Sequence, residues 1–381
     1  MKAVFGLQIL ATVTAFVAAS CPPHGPESRL QRVNRLTKVQ PSRHIDDILS
    51  EWDLNNVTLA AVRAPPVNWP LPILNKNWDG VKFDINGTID LGVSYVERAA
   101  QNGARLVAFP EVWFPGYPKG VINTDYPNSW LVKHAADYVN NSLVIGDNNW
   151  NKLAQAAVDN EIYLAVSVSE RVKNHLYMTQ LLIAPDGEIL IYRHKIRPGG
   201  RERDLWTDGR LEDLVTVVTT PIGRIGMLSC AEHSYPEATF ITQAQTEDIH
   251  IAAWPLTPPF GNYSLGYESS EVITALASVY ANVGNTALIL TSIGSSTIYP
   301  GGASPMWTRN EDSDPYDAVP IIHRDVNATS FPKKTYNANS KVSWGSYQNI
   351  NQGFPDYIPD DMGTFIPWNE VTVESLYEMS T

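Results

Sequence analysis

The chain has 381 residues, 44% of them hydrophobic and 18% charged, with a formal net charge of −12. That composition supplies a large core and excludes overall disorder. The acidic balance argues against a nucleic-acid binder, which needs clustered Lys and Arg to neutralise phosphates. Its two cysteines, Cys21 and Cys230, are too few for a disulfide framework or a cysteine-rich zinc site, and no His cluster shows metal-ligand spacing.

The first element in chain order is a targeting pattern over residues 1–20. Lys2 precedes an apolar run, and Ala18-Ala19-Ser20 forms a small-residue cleavage site. The run is too short for a comfortable membrane span, and no later stretch is apolar enough. The mature body is therefore expected to be secreted, or cytoplasmic if the segment is not functional, and to lack a membrane span. Five Asn-x-Ser/Thr sequons, at Asn56, Asn86, Asn140, Asn262 and Asn327, are compatible with a glycoprotein.

Residues 21–55 are polar and carry Pro22, Pro23, Pro26 and Pro41, which reads as a linker or propeptide-like segment. The body, residues 56–330, opens with an apolar strand at 57–62. A helix is predicted over 88–102, closed by Gly103, then a strand over 106–109 ended by Pro110. A helix over 149–160 follows. Strands are expected at 162–168 and 178–183, with a turn at Pro185-Asp186-Gly187 and extended chain to 192. Further strands fall at 215–218 and 224–228, and a helix follows Pro236. A strand at 249–253, a long helix over 269–282 and a strand at 286–291 complete the pattern. This alternation indicates an α/β fold or layered α/β sandwich with one catalytic domain. Residues 331–381, rich in Pro, Asn, Ser and Asp, read as a tail or extended arm.

Three strand ends carry reactive side chains. In Phe109-Pro-Glu111-Val-Trp-Phe-Pro-Gly-Tyr117-Pro a carboxylate sits among aromatic rings, where desolvation raises its pKa and suits it to proton transfer. In Tyr192-Arg-His-Lys195-Ile-Arg-Pro-Gly-Gly-Arg-Glu202 an ammonium follows a strand, as needed to stabilise a developing anion, and a Pro-Gly-Gly turn can fold Glu202 back towards it. In Leu228-Ser-Cys230-Ala-Glu232-His233 an apolar strand ends at a thiol, and a strand-to-helix turn exposes such a nucleophile. Each has a plainer reading alone: a surface Glu, a solvated basic strand end, an inert buried Cys. His233 is a poor base candidate, because Cys–His pairs draw the His from distant sequence.

Together, in this order and at these strand ends, the segments resemble the nitrilase superfamily, specifically its nitrilase branch. Supporting matches are Ser169-Glu170-Arg171, the 176–182 segment and Ile249-His-Ile-Ala-Ala-Trp254-Pro, and the resemblance covers roughly residues 57–305. Ala231, where the family typically carries Trp, and Met178, in place of an expected Asn, depart from the pattern. The resemblance implies a four-layer α-β-β-α sandwich and pairing into homodimers or larger spiral homo-oligomers. It implies a catalytic triad of Glu111, Lys195 and Cys230 assisted by Glu202. Tyr117, Glu232, His233 and Trp254 are then candidates for substrate contact. No metal or organic cofactor is required. The implied substrate is a small nitrile, hydrolysed to carboxylic acid and ammonia. An amidase, a nitrile or cyanide hydratase, or a silent secreted binding protein stay open as alternatives.

Overall fold

The computed structural model describes residues 27–122, 129–262, 266–301, 307–331 and 368–380. The signal-like segment, Cys21 and most of the tail lie outside the described residues. Two six-stranded mixed sheets form the centre. The first contains β1 (Val57–Val62), β2 (Ala104–Ala108), β3 (Tyr163–Val172), β4 (His175–Ile183), β5 (Ile189–His194) and β12 (Ile321–Val326), in the order β12-β1-β2-β3-β4-β5. The second contains β6 (Val218–Thr220), β7 (Gly223–Ser229), β8 (Ile249–Thr257), β9 (Ala287–Gly294), β10 (Thr297–Tyr299) and β11 (Thr308–Arg309), in the order β11-β10-β9-β8-β7-β6. The strands that lead into the Glu111 and Cys230 turns, β2 and β7, run parallel to their neighbours β3 and β8.

Period-two alternation puts one face of each sheet against the other and the opposite face against helices. Along β1, Val57, Leu59 and Ala61 join Ile225, Met227, Ile249 and Ile251 between the sheets. Ala60 and Val62 face the other way. They meet α3 (Ile85–Gln101), α4 (Ser129–Asn141) and α5 (Asn148–Asp159) through Ile89, Val96, Tyr138 and Leu153. On the far side, α6 (Pro236–Ala244) and α7 (Ser270–Gly284) pack Ala238, Ile273, Ala277 and Tyr280 on Leu228, Ala252 and Leu290. The result is the four-layer α-β-β-α sandwich. Burying one such aliphatic side chain is worth about 1.5–3 kcal/mol, so the sandwich is a strong scaffold for polar groups placed at its strand ends.

The linker reading of residues 21–55 is corrected over its described part. Two helices form, α1 (Arg29–Leu36) and α2 (Ile45–Ser50), and both dock. A capping box between Ser28 and Gln31 starts α1, and Val33 is buried. Asn34 then bonds the edge strand β5 in both directions: its Nδ2 donates to Ile189 O at 3.0 Å and its Oδ1 accepts from Ile189 N–H at 2.7 Å. That covers a sheet edge that would otherwise stay open. Ile48 and Trp52 enter the core between the sheets. At the other end, residues 368–380 return to the domain and form α8 (Val373–Met379). Asn369 Nδ2 donates to Arg203 O at 2.7 Å and Trp368 Nε1 to Asp208 O at 3.0 Å, which holds the loop just past Glu202. No helix among the described residues is long and apolar enough to cross a membrane.

Candidate active site

Glu111, Lys195 and Cys230 leave the ends of β2, β5 and β7, and the sandwich brings them together. Lys195 Nζ donates to Glu111 Oε1 at 2.8 Å and to Glu202 Oε2 at 2.9 Å. The Tyr117 hydroxyl donates to the other Glu202 oxygen at 2.7 Å, and Ser229 Oγ donates to Glu111 Oε1 at 2.5 Å. Glu111, Lys195, Glu202 and Ser229 are all buried. Glu111 Oε2 is buried and without a hydrogen-bond partner among the described residues, which leaves one carboxylate oxygen open for a proton.

The backbone at these turns is specific. The Glu111 N–H donates across the sandwich to Trp254 O at 3.1 Å. Val112 has φ +47° and Cys230 φ +44°, a region that side chains other than glycine adopt at a cost. Val112 is held there by Ser167 Oγ, which accepts its N–H at 3.0 Å. The Lys195 carbonyl accepts the Gly209 N–H at 2.9 Å, and a Cβ on Gly209 would lie 2.7 Å from that oxygen, so the close approach requires glycine.

Electrostatics follow from two carboxylates sharing one ammonium. Burial lowers the affinity of Lys195 for its proton, but Glu111 and Glu202 outweigh it and hold the ammonium well above its ordinary pKa. Glu111 experiences the reverse. Burial, reinforced by repulsion from Glu202 and only partly offset by Lys195, raises it to about 7. Cys230 is half-buried as a residue, yet burial and the Glu111 charge push its thiol well above the ordinary value, against the pull of Lys195. Burial and the neighbouring carboxylate therefore both favour the thiol form of Cys230 over the thiolate.

Three of the four residues expected to contact substrate, Tyr117, Glu232 and His233, have their polar groups engaged inside the protein. Glu232 accepts from Arg193 Nη2 at 2.6 Å, from the Ile196 N–H at 3.0 Å and from the Ser229 N–H at 2.8 Å. It therefore ties the cysteine turn to the lysine strand. His233 Nδ1 donates to the Cys230 carbonyl at 2.9 Å, and its Nε2 meets His250 at 3.0 Å, so neither nitrogen is left for the thiol. The Trp254 ring lies 4.3 Å from that of His233, and Tyr117 is committed to Glu202.

Sequence reasoning missed Arg193, Gln180 and Ser229. Arg193 reads as one charge of a solvated basic strand end, yet it is fully buried. Its Nε donates to Asp213 O at 2.8 Å, and its guanidinium also reaches Gln180 and Glu232. The available signal was its spacing of two from Lys195, which puts both on one side of the strand. Among the described residues no group of three or more His, Cys, Asp or Glu has the arrangement of a metal site.

Residues 58–299 match the carbon-nitrogen hydrolase family model. An arylacetonitrilase from Aspergillus niger is 37% identical over 60% of this chain and 64% of its own length. A cyanide hydratase from Stereum hirsutum is 38% identical over 49% of each chain, and an aliphatic nitrilase from Rhodococcus rhodochrous is 37% identical over 53% of this chain and 50% of its own. The matched region thus spans about half to under two thirds of the curated relatives' length. An amidase of the nitrilase superfamily from Nesterenkonia superposes on 77% of this chain and 98% of its own with a TM-score of 0.54 at 16% identity, which concerns the fold. The chain belongs to the carbon-nitrogen hydrolase family, the nitrilase superfamily, and within it to the nitrilase branch.

Proposed function

We propose that the protein is a thiol hydrolase that converts a small nitrile to the carboxylic acid and ammonia. The observation that carries this reading is the buried contact of Lys195 with both Glu111 and Glu202 beside a turn that presents Cys230. A nitrile carbon is weakly electrophilic and needs a sulfur anion plus a proton for nitrogen. Glu111 takes the Cys230 proton and sulfur attacks the carbon, giving a thioimidate once nitrogen is protonated. Glu111 then activates water, and Lys195 stabilises the tetrahedral intermediate. Ammonia departs to leave a thioester, and a second water releases the acid. Glu202 and Tyr117 orient the ammonium. Glu232 and His233 brace the cysteine turn, and Trp254 packs on the His233 ring. Because Glu111 must accept a proton, kcat/KM falls as pH drops below about 7.

The test is product analysis with a panel of nitriles and the matching amides, using wild type and Cys230→Ala. Acid and ammonia from nitriles, lost in the variant while the melting curve is kept, are expected. Amide as the sole product identifies a hydratase, and turnover of amides alone an amidase. Wild-type turnover in Cys230→Ala overturns the scheme.

Secretion and self-association belong to the same reading. All five sequon asparagines are exposed, as glycan attachment requires. A mass loss on glycosidase treatment of protein secreted by a eukaryotic host is expected, and an intracellular, unmodified chain refutes it. Val272, Val279 and Val283 expose an apolar stripe on α7, which suits pairing with a second copy. Val279→Asp is expected to lower the mass measured by light scattering; an unchanged mass removes this face from the interface.

A further inference from the structure

A second set of buried polar groups hangs from the backbone of the nucleophile. His233 Nδ1 donates to the Cys230 carbonyl at 2.9 Å, His233 Nε2 meets His250 Nε2 at 3.0 Å, and His250 Nδ1 meets Glu247 Oε2 at 2.8 Å. The Tyr280 hydroxyl donates to Glu247 Oε1. None of these four side chains is more than 5% exposed. They come from the turn after β7, from β8 and the residue two before it, and from α7. The nucleophile's own strand leaves room for them. A Cβ on Gly226 of β7 would lie 2.1 Å from Glu247 Oε2.

The hydrogen bonds fix the proton count. A carbonyl oxygen only accepts, so His233 Nδ1 carries a proton. The contact between the two histidines needs another proton, and the contact between His250 and Glu247 needs a third. That is one proton more than two neutral imidazoles hold. The Glu247 carboxylate balances it, and the chain of groups is neutral as a whole, as deep burial favours. Burial, and then the neighbouring His250, push His233 well below its ordinary pKa, so His233 is the neutral member of the chain.

The other end of the chain is the peptide between Cys230 and Ala231. Its carbonyl accepts the His233 Nδ1–H, and its N–H, on Ala231, favours the thiolate of Cys230. A hydrogen bond to one end of an amide polarises it and strengthens the donor at the other end. The same contact pins the peptide plane of a residue held at φ +44°.

We infer that Glu247 and His250 are positioning residues for the reaction: through His233 they orient and polarise the Cys230–Ala231 peptide so that its N–H stabilises the sulfur anion. Tyr280 holds Glu247 in place. The inference rests on the reading of Cys230 as the nucleophile, but its test needs no substrate.

The rate of Cys230 alkylation by iodoacetamide is measured against pH in full-length protein carrying Cys21→Ser, with and without Glu247→Gln, Tyr280→Phe or Gly226→Ala. Glu247→Gln is expected to move the half-reactive pH up by about one unit, a tenfold loss of thiolate at fixed pH. Where a substrate is in hand, kcat falls by a similar factor with KM little changed, a split that general loosening of the fold does not give. Gly226→Ala, which crowds the Glu247 carboxylate from the opposite strand, shifts the profile in the same direction. Tyr280→Phe removes one hydroxyl, shifts it by about a third as much, and decides the matter if Glu247→Gln fails to fold. An unshifted profile in the folded variants overturns the relay. A wild type that alkylates with the expected profile yet turns over no nitrile or amide sinks the nitrile-hydrolase reading and leaves the relay standing.

Discussion

Lys195 and Lys119 are both about 1% exposed, and the fold treats them in opposite ways. Lys195 lies between two carboxylates, which keep its ammonium charged despite burial. Lys119, two residues past Tyr117, is paired with no carboxylate among the described residues. Its Nζ donates to the carbonyls of Pro70 at 2.7 Å, Ile73 at 2.9 Å and Pro72 at 3.5 Å, and it sits 3.6 Å from the centre of the Trp69 ring. Burial lowers its pKa to about 7. One lysine is a fixed charge in a dense field, suited to steadying an anion that comes and goes. The other is a clasp that gathers the 70–73 segment behind the glutamate loop. The difference lies in the partners, since depth and side chain are shared.

Replacing each lysine by methionine separates the two roles. Lys195→Met is expected to lower turnover by at least about 10³-fold, in the upper range for loss of an oxyanion donor. It also leaves Glu111 and Glu202 buried without their cation. The folded pKa of Glu111 then rises further above its ordinary value, so more protons bind the folded than the unfolded state. Stability therefore falls as pH rises from the unfolded carboxylate range through neutrality, and a melting temperature equal at pH 5 and pH 8 would contradict this. Lys119→Met is expected to leave turnover within about threefold and to cost about 1–3 kcal/mol of stability, because buried carbonyls lose their donor. Its pH signature runs the other way. The folded pKa lies below the unfolded one, so between about pH 7 and 10 the unfolded state binds more protons and the wild type gains stability with pH. Urea melts should show the deficit of Lys119→Met widening from pH 7 to pH 10. A constant deficit would mean that Lys119 stays charged, held by its carbonyls and the Trp69 ring.

The sequence made one class of these groups legible and hid another. Glu111, Lys195 and Cys230 stand out because each ends an apolar strand, and strand ends are where a sandwich presents side chains. Helices such as α3 and α5 show their apolar periodicity, and their predicted spans differ from the observed ones by a few residues at most. The docked helices α1 and α2 were hidden by proline and polarity. Their few buried residues, Val33 and Ile48, with Trp52 just past α2, carry no readable period. The strands β10, β11 and β12 escaped because two of them have only three and two residues and the third pairs with β1, far away in sequence. The polar networks were the least legible part. Arg193 meets Glu232 39 residues away, and His233 meets His250 17 residues away. Such pairings depend on which strand ends the sheets bring together, and local pattern holds no record of that.

With Cys230 as the proposed nucleophile, its left-handed backbone makes turnover and thermal robustness rivals at a single position. A side chain larger than hydrogen costs about 1–2 kcal/mol there. Cys230→Ala keeps that strain and loses the sulfur. Cys230→Gly is expected to be equally inactive yet to outlast both in a thermal melt, by about 1 kcal/mol over Cys230→Ala. A library selected only for heat resistance would therefore drift towards glycine at the proposed nucleophile, and on that reading screens of this protein need an activity gate.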